Sequence, residues 1–103
     1  EGGEKLDVAL SLAQKAKSQM PDDANVTDTL GWIYYKKGLL SLAIKSLEYS
    51  VQKSPRNAIY QYHLGMAYAK DGQRGKGRQA LTEARKLDPA FPGADQARAE
   101  LGK

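Results

Sequence analysis

The sequence contains no cysteine and a single histidine, and these two shortages exclude several classes of site. Without cysteine the chain cannot form a disulfide, a thiolate zinc site or a cysteine nucleophile. With His63 alone it cannot form a metal site built on two histidines. No apolar run approaches the roughly 18 residues of a membrane-spanning helix, and residues 1–7 lack the basic and apolar regions of a signal peptide. We therefore expect no metal, no cofactor and no transmembrane segment.

Groups that could support catalysis are equally scarce. A single histidine would have to serve every scheme of nucleophilic catalysis. The adjacent carboxylates Asp22 and Asp23 lie in a predicted exposed turn, where nothing favours the raised pKa that a general acid needs. The sequence therefore predicts no catalytic residues and a protein that is not an enzyme. We also expect the chain to be a piece of a longer protein, whose compartment stays open between the cytoplasm and, for a lipoprotein, the periplasm.

The chain does contain an internal repeat with a period of 34 residues. Residues 24–57 align with residues 58–91 without a gap, and a half-unit precedes them. Prolines mark the period at Pro21, Pro55 and Pro89. The identical pairs fall on apolar, glycine and proline positions: Ala24/Ala58, Leu30/Leu64, Gly31/Gly65, Tyr34/Tyr68, Lys36/Lys70, Gly38/Gly72, Leu47/Leu81 and Pro55/Pro89.

Each unit has the pattern of two helices joined by a tight turn. Apolar residues recur at i, i+3 and i+4 in both halves of the unit, which is typical of one buried helical face. Gly38 and Gly72 stand where the first helix must stop and turn, and a proline ends the second helix. Asp23 and Asn57 precede the first helices as N-caps.

Two glycines stand inside predicted helices, Gly31 and Gly65. A glycine costs about 1 kcal/mol in a helix interior relative to alanine, so its recurrence at one register needs a reason. We interpret both as points where the paired helices approach closely.

These motifs resemble the tetratricopeptide repeat (TPR), in particular that of bacterial TPR proteins. The resemblance rests on Leu30-Gly31-x-x-Tyr34 and Leu64-Gly65-x-x-Tyr68, with Ala43, Leu47 and Pro55 after the first motif and Leu81, Ala84 and Pro89 after the second. It implies an all-α fold, a right-handed solenoid of antiparallel helix pairs with about six helices. Residues 1–103 would form one domain: a trailing helix 4–20, repeats 24–57 and 58–91, and a C-terminal capping helix 92–102. Thr27 and Gln61 stand where the family usually has tryptophan, and Gly77 stands where it has alanine.

The resemblance also implies a concave groove lined by the first helix of each repeat, and a protein-interaction module that binds a peptide or helix there. Helix geometry supports one stripe, because Asp28, Trp32 and Tyr35 are spaced i, i+4 and i+7. The alternative is a purely structural role, in which these side chains only pack against the neighbouring helix. Carried over by position, the groove residues are Asn25, Asp28, Trp32, Tyr35 and Lys36, then Ile59, Tyr62, Met66, Ala69 and Lys70.

Chaperone-binding TPR domains hold a C-terminal carboxylate with a lysine and two asparagines. The matching positions here are Asp28, Trp32 and His63, so a clamp of that type is not expected. We expect His63 to lie at the groove edge or between helices, with no acid placed to tune it.

Two further interactions follow from the sequence. Residues 52–86 carry eight basic and two acidic residues, which predicts as the alternative function the binding of an anionic polymer, nucleic acid or acidic polysaccharide. The glycine-rich stretch 70–78 lacks the spacing of a phosphate-binding loop and is predicted as a turn.

Self-association through exposed terminal helices is also expected, because Leu6, Val8, Leu10 and Leu12 lack a partner helix.

Overall fold

The computed structural model describes residues 2–103, which contain six α-helices and no strand. The predicted all-α fold with six helices is therefore confirmed. None of these helices is both long enough and apolar enough to cross a bilayer. The helices are α1 (Gly2–Gln19), α2 (Ala24–Lys36), α3 (Leu40–Lys53), α4 (Ala58–Lys70), α5 (Arg74–Leu87) and α6 (Ala94–Leu101).

The helix ends follow the local sequence signals. The Asp23 carboxylate accepts a hydrogen bond from the Val26 N–H at 2.9 Å, and the Asn57 side chain accepts one from the Tyr60 N–H at 3.0 Å. Both residues are the predicted N-caps, and each satisfies one free amide of the first turn. After α4, Gly72 turns the chain with a φ of +85°, a left-handed conformation that side chains with a Cβ rarely adopt.

The helices pack as antiparallel pairs, α2 with α3 and α4 with α5. The predicted close approach is confirmed at the two helical glycines. A Cβ on Gly31 would lie 2.8 Å from Leu47 Cγ, and a Cβ on Gly65 would lie 2.7 Å from Leu81 Cγ. The two leucines are 0% and 1% exposed. Each glycine thus lets a buried leucine of the second helix lie directly against the backbone of the first.

Successive pairs stack into a solenoid, since α1 packs on α2, α3 on α4, and α2 also contacts α4. The two ends of this stack differ. At the C-terminal end Phe91 and Ala97 are buried against Leu81. At the N-terminal end Val8 and Leu12 are 62% and 65% exposed, so one face of α1 has no cover within residues 2–103. Among the described residues, apolar side chains are therefore buried beneath α6 and exposed on α1.

Candidate functional site

The predicted groove residues lie on α2 and α4, which pack side by side, but the structure gives them different exposures. Asp28 and Tyr62 are buried, 4% and 7% exposed, so neither offers an open surface, contrary to the expectation that they line a free groove. The half-buried residues are Trp32, Tyr35, Ile59, Met66 and Ala69, and the exposed ones are Asn25, Lys36 and Lys70.

A stack of aromatic rings forms the centre of this face. The Trp32 indole is stacked on the Tyr35 ring, with centroids 4.5 Å apart and planes 4° from parallel. It is also stacked on the His63 imidazole of the neighbouring helix, with centroids 3.9 Å apart. Offset stacking of this kind contributes about 0.5–1.5 kcal/mol beyond the area that it buries. The stack therefore joins α2 to α4 and fixes the orientation of Trp32.

The Asp28 carboxylate contacts His63, and the expectation that no acid lies near this histidine was wrong. His63 Nδ1 is 2.9 and 3.0 Å from the two carboxylate oxygens. The His63 side chain is 12% exposed and the Asp28 side chain is 6% exposed. An ionised carboxylate only accepts hydrogen bonds, so Nδ1 must carry the proton that it donates to Asp28. His63 thus contacts both Asp28 and Trp32, the other two residues at the positions that correspond to a carboxylate clamp.

Tyr62 is covered by the segment that leads into α6. Its ring lies 5.4 Å from the Phe91 ring, centroid to centroid, and a Cβ on Gly93 would lie 2.5 Å from its Cε2 atom. Burial raises the pKa of the Tyr62 phenol above its ordinary value of 10.0. Tyr62 therefore joins α4 to the C-terminal segment. The contact of Phe91 with Tyr62 is not predictable from the repeat pattern, and the one signal for it is that Phe91 is the only phenylalanine of the sequence.

The C-terminal end of α6 lies near the aromatic stack. Burial is the main cause that raises the pKa of the Tyr35 phenol above 10.0; the negative charge of Glu100 raises it further, and the positive charge of Lys103 opposes the shift. Lys103 Nζ and Glu100 Oε1 form an ion pair at 3.1 Å. Glu100 at the end of α6 and Lys103 just beyond it therefore neutralise each other.

Two lysines flank the rings. Lys36 Nζ lies 5.8 Å from the centroid of the Trp32 ring, and Lys70 Nζ of the next unit lies 5.0 Å from the centroid of the Tyr35 ring. An ammonium over an aromatic face is attracted by about 0.5–1 kcal/mol at an exposed site. The described residues contain no group of three side chains suited to a metal ion. The face is thus aromatic, with a basic edge.

Several basic residues of the stretch 52–86 make contacts within the fold. Lys53, at the end of α3, lies over the Tyr49 ring, and Lys76 of α5 lies over the Tyr68 ring. Arg78 donates a hydrogen bond to the Leu101 carbonyl at 2.8 Å, which ties α5 to the end of α6. Part of the local excess of positive charge is therefore used within the fold.

The chain is similar to segments of much longer curated proteins. It is 34% identical over 88 residues to the human N-alpha-acetyltransferase 25, NatB auxiliary subunit, a match that covers 85% of this chain and 9% of that protein. It is 31% identical over 90 residues to tetratricopeptide repeat protein 37 of Xenopus laevis, with 82% of this chain and 6% of that protein covered. The chain thus spans less than a tenth of the length of these relatives. No family model matches it.

Solved structures with the same fold come from bacteria. MamA (residues 41 to the end) from Desulfovibrio magneticus RS-1 has a TM-score of 0.83 and 28% identity, covering 98% of this chain and 55% of that one. PcrH in complex with the chaperone-binding region of PopD has a TM-score of 0.80 and 23% identity, covering 98% and 79%. The Yersinia enterocolitica chaperone SycD with a peptide of the translocator YopD has a TM-score of 0.81 and 18% identity, covering 98% and 80%.

These similarities do not support the anionic-polymer alternative. The predicted bacterial origin stays a prediction, because the curated relatives are vertebrate proteins. The 34-residue period, the paired helices with their glycine contacts, and the likeness to a tetratricopeptide repeat protein and to MamA agree with one another. The chain belongs to the tetratricopeptide repeat family.

Proposed function

We propose that the chain is a protein-interaction module that binds a peptide or helix of a partner on the face formed by α2 and α4. The observation that carries the proposal is the half-buried stack of Trp32 and Tyr35, flanked by exposed lysines on the face that both repeats share. Large rings with few rotamers supply contact area at a low entropic cost. PcrH and SycD have the same fold and were both solved with regions of their partners, which supports a peptide-binding role for a chain of this fold.

The proposal includes no catalytic step. The Asp28–His63 pair has the geometry of the acid and base of a hydrolase, but such a pair needs a nucleophile within hydrogen-bond reach of the imidazole. Within residues 2–103 the only side-chain hydrogen bonds of His63 go to Asp28. We therefore propose a scaffold or adaptor role, in which the pair serves to hold the two repeats in register.

Replacing Trp32 by alanine should weaken partner binding about 30-fold, because a central aromatic anchor contributes about 2 kcal/mol. Peptides of twelve residues are first selected from a random displayed library against the whole chain. Their affinity is then measured by titration calorimetry with the wild type and with Trp32→Ala.

The control for this experiment is Leu42→Ala, which removes a side chain that is 49% exposed on α3, away from the proposed face. Circular dichroism must show that both variants keep their helices. Peptides that bind Trp32→Ala as tightly as the wild type, or that need Leu42 instead, would show that the face formed by α2 and α4 is not the binding surface.

We also propose that the uncovered face of α1 mediates self-association. Val8 and Leu12 are four residues apart and therefore lie on the same side of the helix, and both are more than half exposed. Light scattering should give a mass that rises with concentration for the wild type, and a constant monomer mass for the double variant Val8→Glu/Leu12→Glu. A wild type that stays monomeric at every concentration contradicts the proposal.

A further inference from the structure

A groove of about 450 Å³ lies between α4 and α5. It is lined by residues of these two helices alone, among them apolar Leu64 and Ala80 and polar Gln61, Lys76 and Glu83. None of the predicted peptide-binding residues of α2 and α4 belongs to this lining. Small-molecule sites have volumes of about 300–1,000 Å³, so the groove has room for an aromatic ring.

Glu83 brings a carboxylate without a partner to this groove. Among the described residues, the carboxylates that are buried or half-buried are those of Asp28, Glu83 and Glu100. Asp28 is bonded to His63, and Glu100 is paired with Lys103. Glu83 has neither a hydrogen bond nor an ion pair in the part of the chain that the structure describes. An ionised carboxylate only accepts hydrogen bonds, so its partner in the groove must be an N–H or O–H donor.

The first unit carries a phenol ring at the equivalent position. Tyr49 aligns with Glu83 at the 34-residue period. The Tyr49 hydroxyl donates a hydrogen bond to the Asp22 carbonyl at 3.0 Å, and Lys17 Nζ lies 4.9 Å from the centroid of its ring. The chain thus holds one phenol at this register, with an acceptor at the hydroxyl and a cation at the ring.

The second unit has an acceptor and a cation but no ring at this position. A glutamate side chain is shorter than a tyrosine side chain, and the Glu83 carboxylate lines the open groove in place of a ring. Lys76 Nζ lies 5.6 Å from the centroid of the Tyr68 ring, which also belongs to the lining. A phenol in the groove would therefore meet apolar carbon, a carboxylate and an ammonium, all of which suit its ring or its hydroxyl.

We propose that the groove between α4 and α5 binds a phenol ring, whose hydroxyl donates a hydrogen bond to Glu83 and whose face contacts Leu64 and Ala80. This site goes beyond the proposed function, because it lies outside the peptide-binding face on α2 and α4. A tyrosine side chain and a free phenolic compound present the same ring and the same hydroxyl. The phenol is also the group that the chain itself places at this register in its first unit.

The first test is a titration of the whole chain with 4-methylphenol, followed by proton–nitrogen correlation NMR. Saturable shifts are expected at the Gln61 side-chain amide and at the backbone amides of Leu64 and Ala80. A single ring should bind with a dissociation constant of about 1 mM, within the range for so small a ligand. The matched ligand 4-methylanisole has no hydroxyl proton and should bind about tenfold more weakly, because a hydrogen bond to a charged group is lost.

Three variants locate the site. Glu83→Tyr gives the second unit the residue of the first, so the new ring should fill the groove and abolish the shifts. Thr82→Tyr adds the same ring at the exposed neighbouring position of α5 and should bind as the wild type does. Glu83→Gln keeps the size of the side chain, and it should weaken 4-methylphenol several-fold but leave 4-methylanisole unchanged. Circular dichroism must show that each variant keeps its helices.

A capped peptide, Gly-Ser-Tyr-Ser-Gly, distinguishes the two sources of the ring. Binding at least as tight as that of 4-methylphenol identifies a tyrosine of a partner protein, and weaker binding identifies a free phenolic compound. The inference is overturned if 4-methylphenol and 4-methylanisole bind equally, if Glu83→Gln binds both as the wild type does, or if the shifts fall on Trp32 and Tyr35 instead of the groove.

Discussion

Replacing His63 by phenylalanine is expected to lower the free energy of unfolding by about 3 kcal/mol. The phenyl ring can still stack on Trp32, but it cannot donate a hydrogen bond to Asp28. The carboxylate is 6% exposed and has no other hydrogen-bond partner among residues 2–103. Removing the only hydrogen-bond donor of a buried carboxylate leaves an unsatisfied group in the interior, which is the costly case. Urea denaturation followed by circular dichroism measures the change.

The matched control removes both partners. Asp28→Leu/His63→Phe should recover most of the stability lost by His63→Phe, because replacing a buried pair by apolar groups is often neutral. The two single variants and the double variant form a cycle that gives the coupling energy directly. A His63→Phe protein as stable as the wild type would mean that the pair contributes nothing to the contact between the repeats.

Replacing Gly65 by valine is expected to lower the free energy of unfolding by about 3 kcal/mol, the upper part of the range for overpacking. The new Cβ would lie 2.7 Å from Leu81 Cγ and 3.1 Å from the Gly77 carbonyl oxygen. Leu81 is 1% exposed, so its side chain is enclosed by the core, and the Gly77 carbonyl is backbone that cannot rotate away. The helices α4 and α5 would have to separate. Thermal unfolding should show a lower midpoint, by about 4–8 °C for each kcal/mol in a domain of this size.

Gly75 offers the same substitution without the contact. It lies in α5 with nothing within 4 Å of its Cβ position, so Gly75→Val should change the stability by only a few tenths of a kcal/mol. In a Leu81→Ala background the cost of Gly65→Val should shrink, because the Leu81 atoms that it meets are gone and only the contact with the Gly77 carbonyl oxygen remains. An equal loss of stability from Gly65→Val and Gly75→Val would refute the close-approach explanation.

The parts of the fold that could be predicted are those that depend on local sequence. The N-caps, the turn glycine Gly72 and the close approach at Gly31 and Gly65 all recur with the period, and each has a backbone reason that a single unit reveals. The caps and glycines are therefore sufficient to identify the helix pairs from the sequence. The internal alignment predicted the contacts within a unit, because those contacts repeat.

The contacts between units were harder to predict. The alignment pairs Asp28 with Tyr62, its equivalent in the second repeat, whereas the packing of α2 on α4 joins Asp28 to His63, one position further on. A contact between positions that are not equivalent in the two repeats cannot be recognised from the 34-residue repeat of the sequence. In the same way, the sequence indicated a closing helix but not that Phe91 and Gly93 would cover Tyr62. The burial of two predicted groove residues follows from packing that a single unit does not encode.

Trp32 has one more consequence, which is optical. It is the only tryptophan of the chain, so the long-wavelength ultraviolet emission of the protein comes from one indole. That indole is stacked on Tyr35 and on the histidine bonded to Asp28. Its excited state is therefore sensitive to anything that displaces the rings stacked on it. The protein carries a built-in luminescent reporter at the centre of the proposed binding face, with no need for a dye.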